Sequence, residues 1–352
     1  MKRIRRRGLL AVTLMVVTVI LAACGGPPPV PKAANLAQLY QAAKAEGEVV
    51  WYAPKPEAQM KPAITAFEKK YPGIKVVYTD KKAPDLLTQL NVEQAANRVT
   101  FDVSNAGGLT VVPSLPMAAK VNWSEYKVPA DQIFADNLVY VWAVPKVWAY
   151  NTAVASTPPT SWNSLLDPRW HGGKLGVESR GSFMTVWELD RALGEKAGLR
   201  FSSQLTRQQP HYTDNTTEAH ALIVSGQTPV GTDLINLVLE DQAKGAPVAV
   251  APVGPTNANE SYLFVAQGAP HPAAGRLLTA FLASAQGQAA LAPSYNSIIP
   301  TNTDCTKAAT NRVVGALCKA GVQWVSETDI NQYKEFSKFF PKVEHALGTT
   351  VN

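Results

Sequence analysis

Along most of the chain the spacing of apolar positions switches between two and about 3.6 residues, the alternation of an α/β protein. Glu48-Val49-Val50-Trp51-Tyr52 has the β-rich run of a strand, and Ala58 to Tyr71 carries Ile64, Phe67 and Tyr71 at helical spacing until Pro72-Gly73 stops it. Ile74 to Tyr78 predicts a second strand, Pro84 to Asn97 a helix with Leu86, Leu87 and Leu90 inward, and Phe101-Asp102-Val103 a third strand. Two successive strand–helix–strand units imply parallel pairing. Ligands of such sheets lie beyond the carboxyl ends of the strands, here Ala53 to Glu57, Asp80 to Ala83 and Ser104 to Gly108.

From Leu138 the pattern starts again as a second lobe. Leu138 to Tyr150 is a long aromatic and β-branched run, Lys174 to Val177 and Pro229 to Gly231 predict strands, and Ser161 to Leu166, Ser182 to Glu195, Thr216 to Ser225 and Leu234 to Lys244 predict helices. Val248 to Val250 and Ser261 to Ala266 read as strands returning to the first lobe, with a helix at Ala273 to Ala283 and a last helix, Thr328 to Leu347, packing on the second. Lobe 1 is therefore expected to span 36–137 plus about 246–285, and lobe 2 to span 138–245 plus about 286–352.

The N-terminus follows a different rule. Lys2, Arg3, Arg5, Arg6 and Arg7 precede an apolar run from Leu9 to Leu21, too short to span a bilayer comfortably and typical of an export signal. Leu21-Ala22-Ala23-Cys24 resembles the lipobox of bacterial lipoproteins, which implies cleavage after residue 23 and acylation of Cys24. Acyl chains contribute about 0.8 kcal/mol per buried methylene, so two or more hold a protein on the membrane that one holds only marginally. Gly25-Gly26-Pro27-Pro28-Pro29-Val30-Pro31 then favours an extended spacer, making 24–35 an anchor and tether. Extracytoplasmic, lipid-anchored placement on the outer leaflet of the cell membrane follows.

Removing residues 1–23 changes the electrostatic picture. The net charge of +6 includes five signal-peptide cations, and the remainder has 28 Lys and Arg against 27 Asp and Glu. That balance does not point to nucleic acid or an anionic surface. Cys305 and Cys318 are left as an even pair in an oxidising compartment, and a structural disulfide is the default, worth roughly 3 kcal/mol. No zinc partners flank them. His171, His211, His220, His271 and His345 lack metal-site spacing, and no nucleophile-elbow, phosphate-loop or zincin motif occurs, so neither an enzyme nor a resident cofactor or metal is expected.

Several segments, in order, resemble the solute-binding proteins of bacterial ABC importers, in the branch of ferric-ion, phosphonate and thiamine receptors. They are Val49 to Ala53, Phe67-Glu68-Lys69-Lys70-Tyr71-Pro72-Gly73-Ile74-Lys75-Val76, Ser161-Trp162-Asn163-Ser164-Leu165-Leu166-Asp167-Pro168-Arg169-Trp170-His171-Gly172-Gly173-Lys174, Ala269-Pro270-His271-Pro272, and Phe281 to Gln288. The resemblance implies a two-lobed periplasmic-binding-protein-like fold of type II, each lobe a mixed sheet flanked by helices, with a hinge of crossing strands. It also implies a monomeric receptor that closes on a small molecule and passes it to an ABC permease.

Ferric-binding members of that family place His, Glu and a Tyr pair at positions that here read Ala53-Pro54-Lys55-Pro56-Glu57, Ser104 to Gly108, and Ile235-Asn236. Ferric iron wants phenolate or carboxylate oxygen, so iron stays an alternative, with Glu57 and Asp233 as ligands of an altered site. The family's auxiliary anion loop corresponds to Ser179, Arg180, Gly181 and Ser182, where a helix N-terminus, hydroxyls and a guanidinium favour negative charge. Pro54, Lys55, Ser104, Asn105, Asp233 and Asn236 complete the candidate site, and Lys81 and Lys82 are further cations at a strand exit. Asp233 is either a helix N-cap, the better reading, or a partner for a ligand ammonium. Trp51 or Trp142 could line the cleft, and Tyr150-Asn151-Thr152 matches an architectural segment. A small anion or zwitterion, such as a phosphonate, phosphate ester or organic acid, is the expected ligand. An exported sensor or enzyme on the same lobes is the other class.

Overall fold

The computed structural model describes residues 35–81, 83–96, 98–178, 189, 193–258, 260–292, 305, 312–325 and 329–348. Two sheets organise it. The first runs β2-β1-β3-β12-β5-β4 and the second β10-β6-β9-β7-β8. In the first, β1 (Glu48–Ala53) pairs in parallel with β2 (Lys75–Asp80) and β3 (Val103–Ala106), as two strand–helix–strand units require. On the other side β12 (Glu260–Val265) lies antiparallel to β3 and to β5 (Leu138–Ala143), which pairs with β4 (Ile133–Phe134).

The connecting helices form where the apolar stripe and the caps agree. α1 (Leu36–Glu46) starts at Asn35, whose side chain accepts from Gln38 N–H at 3.0 Å, and ends at Gly47 with φ 81°. α2 (Glu57–Lys70) buries Met60, Ala63, Ile64 and Phe67, one face of a helix. α3 (Ala83–Ala95) completes the crossover to β3. α1 was not foreseen, because its buried stripe is only Leu39 and Ala43.

In the second sheet, β6 (Lys146–Asn151) lies antiparallel to β9 (Val230–Leu234), which is parallel to β7 (Leu175–Glu178), with β8 (His211–Thr213) beyond. α4 (Glu195–Arg207) and α5 (Thr216–Ser225) flank it, followed by α6 (Ile235–Ala243). α4 begins where the expected helix 182–195 ends, and most of that expected helix lies outside the described residues. Asn151 has the architectural role its segment implied: its Nδ2 donates to the Ile223 and Val224 carbonyls at the end of α5, and its Oδ1 accepts from Ala153 and Val154 N–H.

The apolar run 138–150 is two strands in different sheets, and the chain crosses between lobes at Val144-Pro145. The return crossing follows β10 (Val248–Val250), which pairs with β6 rather than returning to the first lobe as expected. Between β10 and β12, the two-residue β11 (Thr256–Asn257) pairs with β13 (Trp324–Val325). Thr256 Oγ1 donates to the Lys146 carbonyl, tying one crossing to the other.

α7 (Pro272–Ala283) is buried along nearly its whole length under the first sheet, and α8 (Ala285–Leu291) packs on α2 and α7. That puts α8 with the first lobe, against the expectation for residues beyond 285. Gln288 Nε2, which donates to the Val141 carbonyl, fixes it there. α9 (Arg312–Ala320) carries Cys318, which is disulfide-bonded to Cys305. α10 (Ile330–Leu347) packs on α4 through a stripe of Phe336, Phe339, Val343 and Leu347 in the second core, as expected, while its Tyr333 hydroxyl reaches Glu260 of β12 at 3.1 Å. No described helix is long and apolar enough to cross a membrane.

Candidate functional site

The carboxyl ends of the parallel strands in both sheets come together at the crossing strands. On the second lobe, the register that sets Gly176 beside Gly231 places Glu178 level with Asp233, with Val147 and Lys146 on the next strand. The Lys146 side chain (4% exposed) reaches across β9 to contact the Glu178 carboxylate (11% exposed). Thr216, first residue of α5, donates to Glu178 Oε2 at 2.8 Å, and Glu178 N–H donates to Thr232 Oγ1 at 3.0 Å. A buried lysine and glutamate held this way compensate each other's lost hydration.

Asp233 is fully buried, and its Oδ2 lies 2.7 Å from His220 Nδ1, while His220 Nε2 lies 3.2 Å from Asp241 Oδ2. Burial pushes the Asp233 carboxyl above its usual range, with the His220 contact and Lys146 opposing. Burial works against the His220 imidazolium, but Asp233 and then Asp241 outweigh it and raise the pKa above the usual histidine value. Asp233 is therefore not the N-cap of α6, which starts after Leu234; it ends β9 with its carboxylate occupied by His220.

The first lobe presents a plainer edge. Ser104 and Asn105, expected in a loop, are ladder residues of β3, opposite Phe264 and Leu263. The sequence placed them in a turn because polar side chains rarely sit buried in a strand. Here Asn105 Oδ1 accepts from the Trp51 indole at 2.9 Å and its Nδ2 donates to Ser261 Oγ at 2.9 Å. The Ser104 hydroxyl is buried and finds no acceptor among the described residues. Gly107 follows where β3 meets the start of β12, and a Cβ there would sit 2.7 Å from the Glu260 carbonyl.

Pro54 and Lys55, both half-buried, follow β1, and the Lys55 carbonyl accepts from the Tyr78 hydroxyl at 2.6 Å. Burial pushes the Lys55 ammonium down to about 8, with Asp80 opposing. Lys55 in turn reaches across the hinge: burial depresses the Lys146 ammonium, Asp233 opposes that, and Lys55 adds to it. The two lysines come from different lobes, and burial brings the Lys146 ammonium down to about 7 even though it contacts the Glu178 carboxylate.

Of the remaining candidates, Asn236 lies in the first turn of α6 with a buried Oδ1 that has no partner among the described residues. Lys81 lies over the Tyr52 ring, 5.1 Å from its centroid, and its Nζ donates to Gln89. Ser179, Arg180, Gly181, Ser182 and Lys82 lie outside the described residues, as does Cys24. Trp51 and Trp142 are buried core residues. Glu57 is exposed and paired with Lys61, and no group of three metal-ligating side chains occurs among the described residues.

Lys146, Thr216 and His220 were missed by sequence reasoning. The signal was present for Lys146, the one charge inside the apolar run 138–150: such a charge must find a partner.

Two α/β lobes joined by crossing strands, with polar groups gathered where they meet, define a solute-binding fold. Residues 49–294 match the family described as bacterial extracellular solute-binding protein, and the chain belongs to that family. Solved structures agree. Iron-bound HitA from Pseudomonas aeruginosa superposes with a TM-score of 0.68 at 16% identity, covering 85% of this chain and 99% of that one. The Atu4243-GABA receptor gives 0.69 at 17%, covering 87% and 99%. AfuA from Actinobacillus pleuropneumoniae, with fructose-6-phosphate bound, gives 0.67 at 17%, covering 86% and 99%. A search of curated protein sequences returns no match.

Proposed function

We propose that this chain is the receptor of an ABC importer, anchored by Cys24, which captures a small anionic solute between its lobes and hands it to a membrane permease. The observation that carries the ligand class is the lysine pair. Lys55 from the first lobe and Lys146 from the crossing strand repel one another in a partly desolvated place. An anion bound there relieves that repulsion, whereas a ferric ion adds to it. The donor types argue the same way: Glu57 is paired at the surface, Asp233 is taken by His220, and no tyrosine stands at Ile235-Asn236. The loss of Asp233 as a partner for a ligand ammonium favours a plain anion over a zwitterion. The loop 179–182, with Arg180, is the expected further contact. A phosphate ester, a phosphonate or a carboxylate matches this chemistry.

The test is native mass spectrometry of protein purified without refolding. A copurified organic anion or phosphate ester, released by Lys55→Met, is expected. Purified protein carrying ferric iron with a charge-transfer band would reverse the assignment. For the anchor, Cys24→Ser should move the protein from the membrane fraction to the soluble one, and an unchanged distribution would count against acylation.

A further inference from the structure

We infer that the first lobe carries a second small-molecule site, at the end of its sheet away from the cleft, for an organic anion with an apolar body. The cavity there is about 650 Å³, within the size range of small-molecule sites. Its position follows from the strand directions. β12 starts at the hinge with Glu260 and runs antiparallel to β3, so its far end, Val265 and the residues after it, lies beside Val103, where β3 begins. The cavity opens at that far end, between the turn 266–269, the first turns of α7 and the segment 115–120, which is bridged to it at Ala118 and Ala266. A six-residue strand, about 20 Å, separates it from the cleft.

The lining combines apolar walls, including Leu115, Val265 and Pro272, with two cations, Lys120 and Arg276. Neither cation has a hydrogen-bond or ion-pair partner among the described residues. Arg276 Nε is buried, and no acceptor reaches it. Nε is therefore closed to a ligand as well, and a carboxylate in the cavity would meet the terminal nitrogens of the Arg276 fork and the Lys120 ammonium. Asn137, just before β5, and Gln267 supply neutral polar groups on the same wall.

Two carboxylates beside the start of α7 are committed elsewhere. Glu46 accepts from the Ala273 and Ala274 N–H groups at 3.1 and 2.7 Å, and Asp102 accepts from Val50 and His271 N–H. The free N–H groups at the start of α7 are thus already satisfied by Glu46, and the anion site rests on the side chains of Arg276 and Lys120. The site is independent of the cleft proposal, since neither Lys55 nor Lys146 is among the residues that line it.

4-Fluorobenzoate, a carboxylate on an apolar ring, is the probe, followed by ¹⁹F NMR titration of the full chain. Saturable binding is expected in the native protein, with affinity lowered at least about tenfold in Arg276→Gln, partly recovered in Arg276→Lys, and unchanged in Lys55→Met. The neutral 4-fluorobenzamide should bind more weakly than the acid. Circular dichroism and thermal unfolding establish that each variant is folded. Absence of saturable binding, equal affinity in Arg276→Gln, or loss in Lys55→Met instead of Arg276→Gln would each overturn the assignment. If the cleft ligand proves not to be an anion, this titration still stands, because Lys55→Met separates the two sites.

Discussion

The two lobes meet across the same cleft with opposite kinds of edge. The second lobe ends in a closed polar network, in which Lys146, Glu178, Thr216, Thr232, Asp233 and His220 satisfy one another. The first lobe ends in small residues and backbone, with Lys55 half-exposed and Asn105 bound down by Trp51 and Ser261. A network that is already satisfied fixes the geometry of the crossing strands, because any displacement leaves a buried charge without its partner. The sparser edge, backed by a rigid core, leaves room for a ligand.

The sharpest way to break the comparison is Glu178→Gln. It strands the Lys146 ammonium and should lower stability by about 3 kcal/mol in urea unfolding near pH 6. Because burial already depresses that ammonium, the loss should shrink as pH rises and Lys146 sheds its proton. A pH-independent or negligible loss would mean that the second edge is not held by this pair.

On the first edge, Asn105→Ala leaves the buried Trp51 indole N–H without its acceptor and should cost about 2 kcal/mol. The same denaturant experiment reads it. Ligand affinity is expected to follow the reverse order: Lys55→Met should weaken binding of the copurified anion about tenfold, or 1.4 kcal/mol, while leaving unfolding nearly unchanged. In the native protein, affinity should fall as pH rises through about 8, the pKa of Lys55, because the bound anion favours the protonated amine. Calorimetric titration from pH 6 to about 9 checks both, with Lys55→Met showing no such fall.

The smallest effect concerns His220. Its raised pKa means that the folded state holds the proton more tightly, so the His220–Asp233 pair contributes fully below about pH 6.5 and its contribution fades as pH rises through the folded value. The stability difference between the native protein and His220→Gln should decline over that window by about 1 kcal/mol or less. A difference that stays flat would show that the pair does not change charge there.

How much was legible beforehand varies by residue. The strand at 48–52, Ile64 and Phe67 of the α2 stripe, and α5 at 216–225 follow from local spacing, since each buries one regular face. The disulfide followed from an even cysteine count. Polar residues misled. Asn105 looked like part of a turn, and Asp233 like a cap, because the groups satisfying them come from Ser261 and His220, 156 and 13 residues away in sequence.

The sequence by itself determined the α/β alternation, the two lobes and the near-even charge balance of residues 24–352, since each depends on periodicity or composition along the chain. Only the tertiary structure decided which sheet each half of the run 138–150 joins, that Lys146 meets Glu178 across an intervening strand, and that Arg276 and Lys120 share a cavity at the far end of the first sheet. Those outcomes depend on sheet order and register, which bring distant residues level and which no local pattern encodes.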